Sequence, residues 1–377
     1  MKFSKFKYTL AAAACALLCA GCDFHTRQST MDPKGPIAAS QMDVFMVTVW
    51  VTGFIFLAVG GTLVWVVWHF REKASNRDNP LPDQSHGNPL VEIGLIGISV
   101  LLLVIIGVPT VREIIYMHDL PDDPQSKLGA WYTGDIADGE DNKVLTVIVR
   151  GYQWWWAFEY PQLGITTANE LVIPVGKVVK LHLRAQDVIH SFWLPKIAGK
   201  VDLMPGRNNW MWIQGDEIGH YYGQCAEFCG TAHAYMLFRS DVVSTEDFEL
   251  WALHQKAEAK KAQGSMALAG EKLFTQKTCV QCHKIRGNAV AQGIKGPDLT
   301  HLASRVTVGA GLLDNRVDYE GPIDPEIQNK NLFNWIKHNQ DIKPGNLMYH
   351  DPSGGIKDVT FTDQEIHELV AYLQTLK

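Results

Sequence analysis

The chain lacks a basic surplus, has few cysteines, and over two long stretches has no charge at all. Lys and Arg number 34 against 40 Asp and Glu, a net charge of −6. Without a basic excess to neutralise phosphates, nucleic acid is excluded as a partner. Seven cysteines in 377 residues are too few, and odd in number, for a disulfide-built fold. Their positions sort them into Cys15, Cys19 and Cys22 near the start, Cys225 and Cys229 in the middle, and Cys279 and Cys282 further on.

The first uncharged stretch is the twenty-five residues from Val44 to Trp68, and the second is the nineteen from Ile93 to Val111. Each is long enough to cross a ~30 Å hydrocarbon core as a helix, so a transmembrane hairpin is predicted over 35–115, with helices at about 44–68 and 93–111. Arg71, Lys73 and Arg77 lie between the two helices and place that loop in the cytoplasm. Both the N-terminus and everything after the hairpin are then outside. Glu92, at the cytoplasmic edge of the second helix, is an ionisable group at a costly depth, either interfacial or functional. The N-terminus agrees with export: Lys2, Lys5 and Lys7 precede an apolar run, Leu10 to Ala20, that is too short to span a bilayer stably. Leu18-Cys19-Ala20-Gly21-Cys22 looks like a lipoprotein cleavage box. It predicts a signal peptide over 1–21 and a lipid on Cys22, with an ordinary cleaved signal at Ala20-Gly21, or an uncleaved one, as the alternatives.

After the hairpin the chain turns β-like. Val144–Val149, Val178–Leu183 and Leu237–Val243 are short, rich in β-branched residues and separated by Gly, Pro, Asn and Asp, which predicts an all-β sandwich or barrel over 125–250. A polar Ala- and Lys-rich run follows, with a linker at 251–265 and a further domain at 266–377.

Two motifs carry chemistry. Cys225, Cys229, His233 and Met236 put two thiols, an imidazole and a thioether within twelve residues, and His190 lies upstream of a Gly- and Pro-rich stretch that can fold it back. Soft sulfur with imidazole is a copper ligand set. Two cysteines allow two thiolates to bridge two copper ions, with His190 and His233 terminal, and Met236 and the Glu227 carbonyl completing the coordination. A structural zinc and a Cys225–Cys229 disulfide are the alternatives. The second motif, Cys279-Val280-Gln281-Cys282-His283, is the c-type haem attachment signature, with His283 as axial ligand. Met348, after Lys343-Pro344-Gly345, is the expected second ligand, because Met with His gives a high-potential iron. His301, His338, His350 and His367 are its rivals.

Gly223-Gln224-Cys225-Ala226-Glu227-Phe228-Cys229-Gly230, followed by His233 and Met236, resembles the binuclear copper (CuA) loop of subunit II of haem-copper cytochrome c oxidases. The resemblance extends through Asp187–Phe192, Lys200–Arg207 and Gly151–Trp156, and covers roughly residues 35–255. Residues 266–377 resemble class I cytochromes c. The resemblance implies a multidomain protein: a two-helix transmembrane hairpin, an all-β cupredoxin-like CuA domain and an all-α class I cytochrome c domain. It implies a respiratory cytochrome c oxidase subunit in a bacterial inner membrane, with the copper and haem domains on the periplasmic side and subunits I and III, lipid, and cytochrome c or another periplasmic donor as partners. Electrons are expected to enter at one covalent haem c and cross to the two-copper centre. From there they would pass to subunit I, which reduces oxygen and pumps protons. By the same resemblance Glu92 is the entrance of a proton channel, Trp154 the residue through which electrons reach the copper, and the Glu227 side chain a ligand of a magnesium shared with subunit I. The three Trp at 154–156 are expected in one strand, so that Trp155 faces away from its neighbours. A nitric oxide reductase subunit is the alternative function, and a copper-delivery lipoprotein a more distant one. The histidine cluster of a nitrous oxide reductase is absent.

Overall fold

The structure, a computed structural model, describes residues 24–72, 87–133, 143–350, 356 and 359–377. Cys22 and the signal segment lie outside the described residues, as do Lys73 and Arg77.

The hairpin helices are longer than their uncharged stretches: α1 spans Pro36–His69 and α2 spans Pro89–His118. Both are long and apolar enough to cross a membrane. The extra turns carry the charged residues of the two helices, Asp43 in α1 and Glu92, Arg112 and Glu113 in α2. Asn88 caps α2 by accepting from the amides of Leu90 and Val91, and Glu92 stands exposed in its first turn. Phe56 and Leu57 are 74% exposed, the outward apolar face that lipid covers and water does not. Within the hairpin, the Ser40 hydroxyl donates to the buried carboxylate of Glu113.

The β domain is a sandwich of two five-stranded sheets. One contains β1 (Leu145–Tyr152), β2 (Trp155–Tyr160), β3 (Ile165–Ala168), β5 (Val179–Ala185) and β8 (Asn209–Ile213), in the order β3-β2-β1-β5-β8. The other contains β4 (Glu170–Pro174), β6 (His190–Trp193), β7 (Lys200–Leu203), β9 (Gly219–Cys225) and β10 (Leu237–Val243), in the order β4-β10-β9-β6-β7. Alternating burial along β1 shows why the segment folds this way: Leu145, Val147 and Val149 face the core with nothing exposed, and their neighbours face outward. Trp156, Phe192 and Phe238 form the aromatic centre between the sheets, with ring centroids 4.7–6.1 Å apart.

The expected run of three tryptophans in one strand is corrected. Trp154 lies in the turn joining β1 to β2, because Tyr152 pairs directly with Trp155 and leaves Gln153 and Trp154 between them. Trp155 stacks on Tyr152 at 4.5 Å, Trp156 enters the core, and Trp154 is buried in a third direction.

Helix α3 (Thr245–Lys256) is capped by Ser244 and lays Phe248 and Trp251 against Trp131 and Tyr160. Residues 251–256, assigned above to the linker, therefore end a helix packed on the β domain. The remaining connection is also pinned: the Ala259 amide donates to Arg286 O at 3.1 Å, and the Arg286 guanidinium donates to the carbonyls of Gln255 and Lys256. The haem-type domain follows, with α4 (Ser265–Gln276), α5 (Pro325–Ile342) and α6 (Asp363–Leu373) around a core that includes Phe274, Leu332, Ile366 and Leu369. It is not purely α, since β11 (Thr307–Val308) and β12 (Leu313–Asp314) form a short hairpin.

That hairpin is where this domain meets the sandwich. Leu237 of β10 donates its amide to Ala310 O at 3.2 Å, and Arg239 donates to Gly311 O at 2.7 Å with its guanidinium 3.9 Å over the Tyr222 ring. Tyr222 stacks on Tyr319, and Arg27 lies over both rings. Glu170 accepts from the Thr307 amide at 3.1 Å. Burial of its carboxyl and the nearby Asp241, opposed by Arg305, raise its pKa from 4.5 to about 8. The folded protein then holds a proton that the unfolded chain loses, so this group's contribution to stability falls as pH rises from about 4.5 to about 8. Glu170→Gln should melt with the wild type at pH 5 and above it at pH 9. Parallel melting temperatures across that range would contradict the raised pKa.

Candidate metal and haem centres

Three strands converge on the copper-type loop. Cys225 ends β9, residues 226–236 return to β10, and His190 opens β6, whose Phe192 pairs with Cys225. The loop is closed at its base, where Cys225 N donates to Met236 O and Ala226 N to Ser191 O, both at 3.0 Å. All six candidate ligands come together. The two Sγ atoms are 3.8 Å apart and unbonded. Cys225 Sγ lies 3.9 Å from His190 Nδ1 and 3.3 Å from Glu227 O, while Cys229 Sγ lies 3.5 Å from His233 Nδ1 and 3.9 Å from Met236 Sδ.

The chemistry of this set fits a soft cation. Two buried thiols this close titrate as one unit. The hydrogen bond from Cys229, and His190 after it, hold Cys225 far below the usual thiol range, while Cys225 and burial push Cys229 up. A metal between them is what lets both be thiolates. His190 is oriented for this: its Nε2 is 2.8 Å from Asp187 Oδ1, and a carboxylate only accepts, so Nε2 carries the proton and Nδ1 is left facing the sulfur pair. Asp187 also accepts from the amides of Gln153 and Val188, and its pKa is lowered despite burial. Gly151 is needed because a Cβ there would stand 2.8 Å from the His190 ring. The Glu227 carboxylate is exposed.

The second site is a cavity of about 250 Å³ lined by Cys279, Cys282, His283 and Met348. His283 donates from Nδ1 to Pro297 O at 2.8 Å, which leaves Nε2 unprotonated. Burial lowers the His283 pKa, keeping the imidazole neutral as a ligand requires. Apolar walls such as Leu299, Leu332 and Leu369 suit a porphyrin. Of the rival ligands, His301 lies tilted against the His254 ring, His338 pairs with Asp341, His367 lies tilted against Phe333, and none of the three lines the cavity. The side chain of His350 lies outside the described residues.

The two sites share a wall. Tyr152, Trp154 and Trp155 of the sandwich line the same cavity as His283 and Met348. Trp154 Nε1 donates to Cys229 O at 3.0 Å, and Gln153 Nε2 donates to the same oxygen at 2.8 Å. On the other side, Lys343 Nζ donates to Trp154 O at 2.6 Å. Sequence reasoning assigned no role to Asp187, Gln153 or Lys343. Asp187 had a signal, three residues before a ligand histidine; the other two act through backbone carbonyls and had none.

Residues 162–243 match the family described as cytochrome C oxidase subunit II, periplasmic domain, and residues 267–377 match the cytochrome c family. A cytochrome c oxidase subunit 2 of Alkalihalophilus pseudofirmus is 32% identical over 96% of this chain and 94% of its own length. One from Bacillus subtilis is 32% identical over 99% of this chain and 98% of its own. The solved periplasmic domain of subunit II of cytochrome oxidase from Bradyrhizobium japonicum is 35% identical, covering 30% of this chain and 93% of that one with a TM-score of 0.29. The first family brings a CuA centre and the second a haem. With a relative of this identity matched from end to end, and with both domains matched in order, the chain belongs to the cytochrome c oxidase subunit II family and carries a cytochrome c domain fused to it.

Proposed function

We propose that electrons cross this chain from a haem held by Cys279, Cys282, His283 and Met348 to a copper pair held by His190, Cys225, Cys229, His233, Met236 and the Glu227 carbonyl, with Trp154 as the bridge. The observation that carries the proposal is that Trp154 walls the haem cavity while its indole N–H donates to the backbone of Cys229. When bound, the two groups supply one-electron carriers whose charge changes in a dry, low-dielectric setting. The protein's part is rigidity. Ligands fixed at the ends of β6 and β9 and across a base-closed loop do not rearrange when the charge changes, which keeps electron transfer fast.

This chain is the electron-accepting subunit of a haem-copper oxidase, a membrane protein with a periplasmic domain that associates with other oxidase subunits. The relatives carry the oxidase name, and nothing favours the nitric oxide reductase alternative. We place the hairpin in a bacterial inner membrane, with a periplasmic donor such as cytochrome c reducing the haem and subunits I and III beside it. Glu92, exposed in the first turn of α2, is free to open a proton path in a partner subunit. The exposed Glu227 carboxylate is free to reach a magnesium held jointly with subunit I. Cys22 is proposed as the lipid-bearing residue of the mature chain.

Metal and haem analysis tests the two sites separately. Wild type should hold two coppers and one covalent haem, and Cys229→Ser should lose the coppers and keep the haem. Zinc, or copper retained in the variant, would overturn the binuclear assignment. Asp187→Asn leaves the ligands intact but weakens the orientation of His190, so copper retention against a chelator should fall about 10–100-fold, with the haem spectrum unchanged.

A further inference from the structure

Lys343 ends the connection from α5 to the loop that carries Met348, and it is 3% exposed. Burying an amine is unfavourable, and here burial lowers its pKa from 10.5 to about 7, with Cys229 opposing the shift. Among the described residues its hydrogen-bond partners are backbone carbonyls, Trp154 O at 2.6 Å and Gly309 O at 3.5 Å, and none of them forms an ion pair with it. Two residues on, Gly345 adopts φ +80 with its Cα against Thr231 of the copper loop, where a Cβ would come within 2.9 Å. Met348, three residues further, lines the haem cavity. The haem-ligand loop is thus seated directly on the copper-ligand loop, and its buried Lys343 side chain grips the turn of the bridging tryptophan.

We propose that Lys343 is a positioning residue for electron transfer between the domains, fixing the Trp154 turn between the haem cavity and the Cys229 carbonyl. The proposal rests on the reading of Trp154 as the bridge. A buried donor on a carbonyl is short, directional and shielded from water and salt, so it sets a distance where a surface ion pair would set only an average. Gly309 O, on the β11–β12 hairpin, ties the same ammonium to the seam.

The test uses the purified oxidase containing the full chain, in wild type, Lys343→Met and Lys343→Gln. Met keeps length and removes the donor; Gln returns a neutral donor. Four quantities are read: the rate of electron transfer from haem c to CuA after rapid photoreduction of the haem, both midpoint potentials, both absorption spectra, and amide exchange across 150–156. In Lys343→Met the rate should fall several-fold, less than the roughly hundredfold that a misplacement of about 1 Å costs a bond-making step, because electron tunnelling decays less steeply with distance. Exchange at 150–156 should quicken while spectra and potentials stay put, and Lys343→Gln should recover part of the rate. A wild-type rate in Lys343→Met overturns the proposal. So does a loss of either spectrum in both variants, which would make Lys343 a packing residue only. Absence of haem-to-copper transfer in the wild type overturns instead the bridge reading on which the proposal stands.

Discussion

Two sulfur atoms held 3.8 Å apart in a buried loop are an unstable arrangement of charge, and much of this molecule is built to hold them there. Without a cation the pair keeps a proton that metal binding must displace. The protein therefore fixes everything around the sulfurs in advance: the loop is closed at Met236 O, His190 is oriented by Asp187, and the Cys229 carbonyl is held by two side-chain donors from the β1–β2 turn. A carbonyl that accepts from both Gln153 and Trp154 has little freedom to swing, so the thiolate attached to that residue has little either. The glycine at 151 belongs to the same constraint, since it lets the β1 backbone approach the imidazole face.

The candidate side-chain ligands that the structure brings together stood out in the sequence because the chemistry of each is its identity. Cys, His and Met at close spacing announce soft-metal binding, and the Cys-x-x-Cys-His run announces haem. The strands were legible too, because alternating burial writes itself as alternating residue type, as in Leu145 to Val149. The orienting residues were harder. Gln153 and Lys343 act on backbone oxygens, which every residue has, so nothing in the partner's identity flags the contact. Trp154 was misread as a strand residue because composition cannot distinguish the end of a two-residue hairpin turn from a continuing strand when the residues on either side of the junction are both tryptophan. The register of Tyr152 with Trp155 decides it. Nor did the polar run after Ser244 show where its helix ends, since Ala, Lys, Glu and Gln suit both a helix and a linker. Trp251 packing on Tyr160 and Phe248 settles that helix as part of the β domain.

The fused domain changes how electron arrival should be pictured. A free donor must find the copper domain by diffusion and surface charge, which salt screens. A domain on a flexible tether would arrive through a high effective concentration, still sampling many poses. Neither describes the seam seen here. The Ala259 amide donates to Arg286 O, and the β11–β12 hairpin is joined to β10 by a backbone hydrogen bond and a buried arginine, beside the stack of Tyr222 of β9 on Tyr319. These interactions are short-ranged and largely desolvated, so they survive salt that would weaken exposed ion pairs. On the electron path we propose, docking of this kind would make the haem-to-copper step unimolecular with one geometry and leave the encounter with a diffusing donor to the haem domain's outer surface. Ionic strength should then act on the reduction of the haem and leave the step behind it unaffected, which is the division of labour that a fused carrier with a buried contact permits and a loose tether does not.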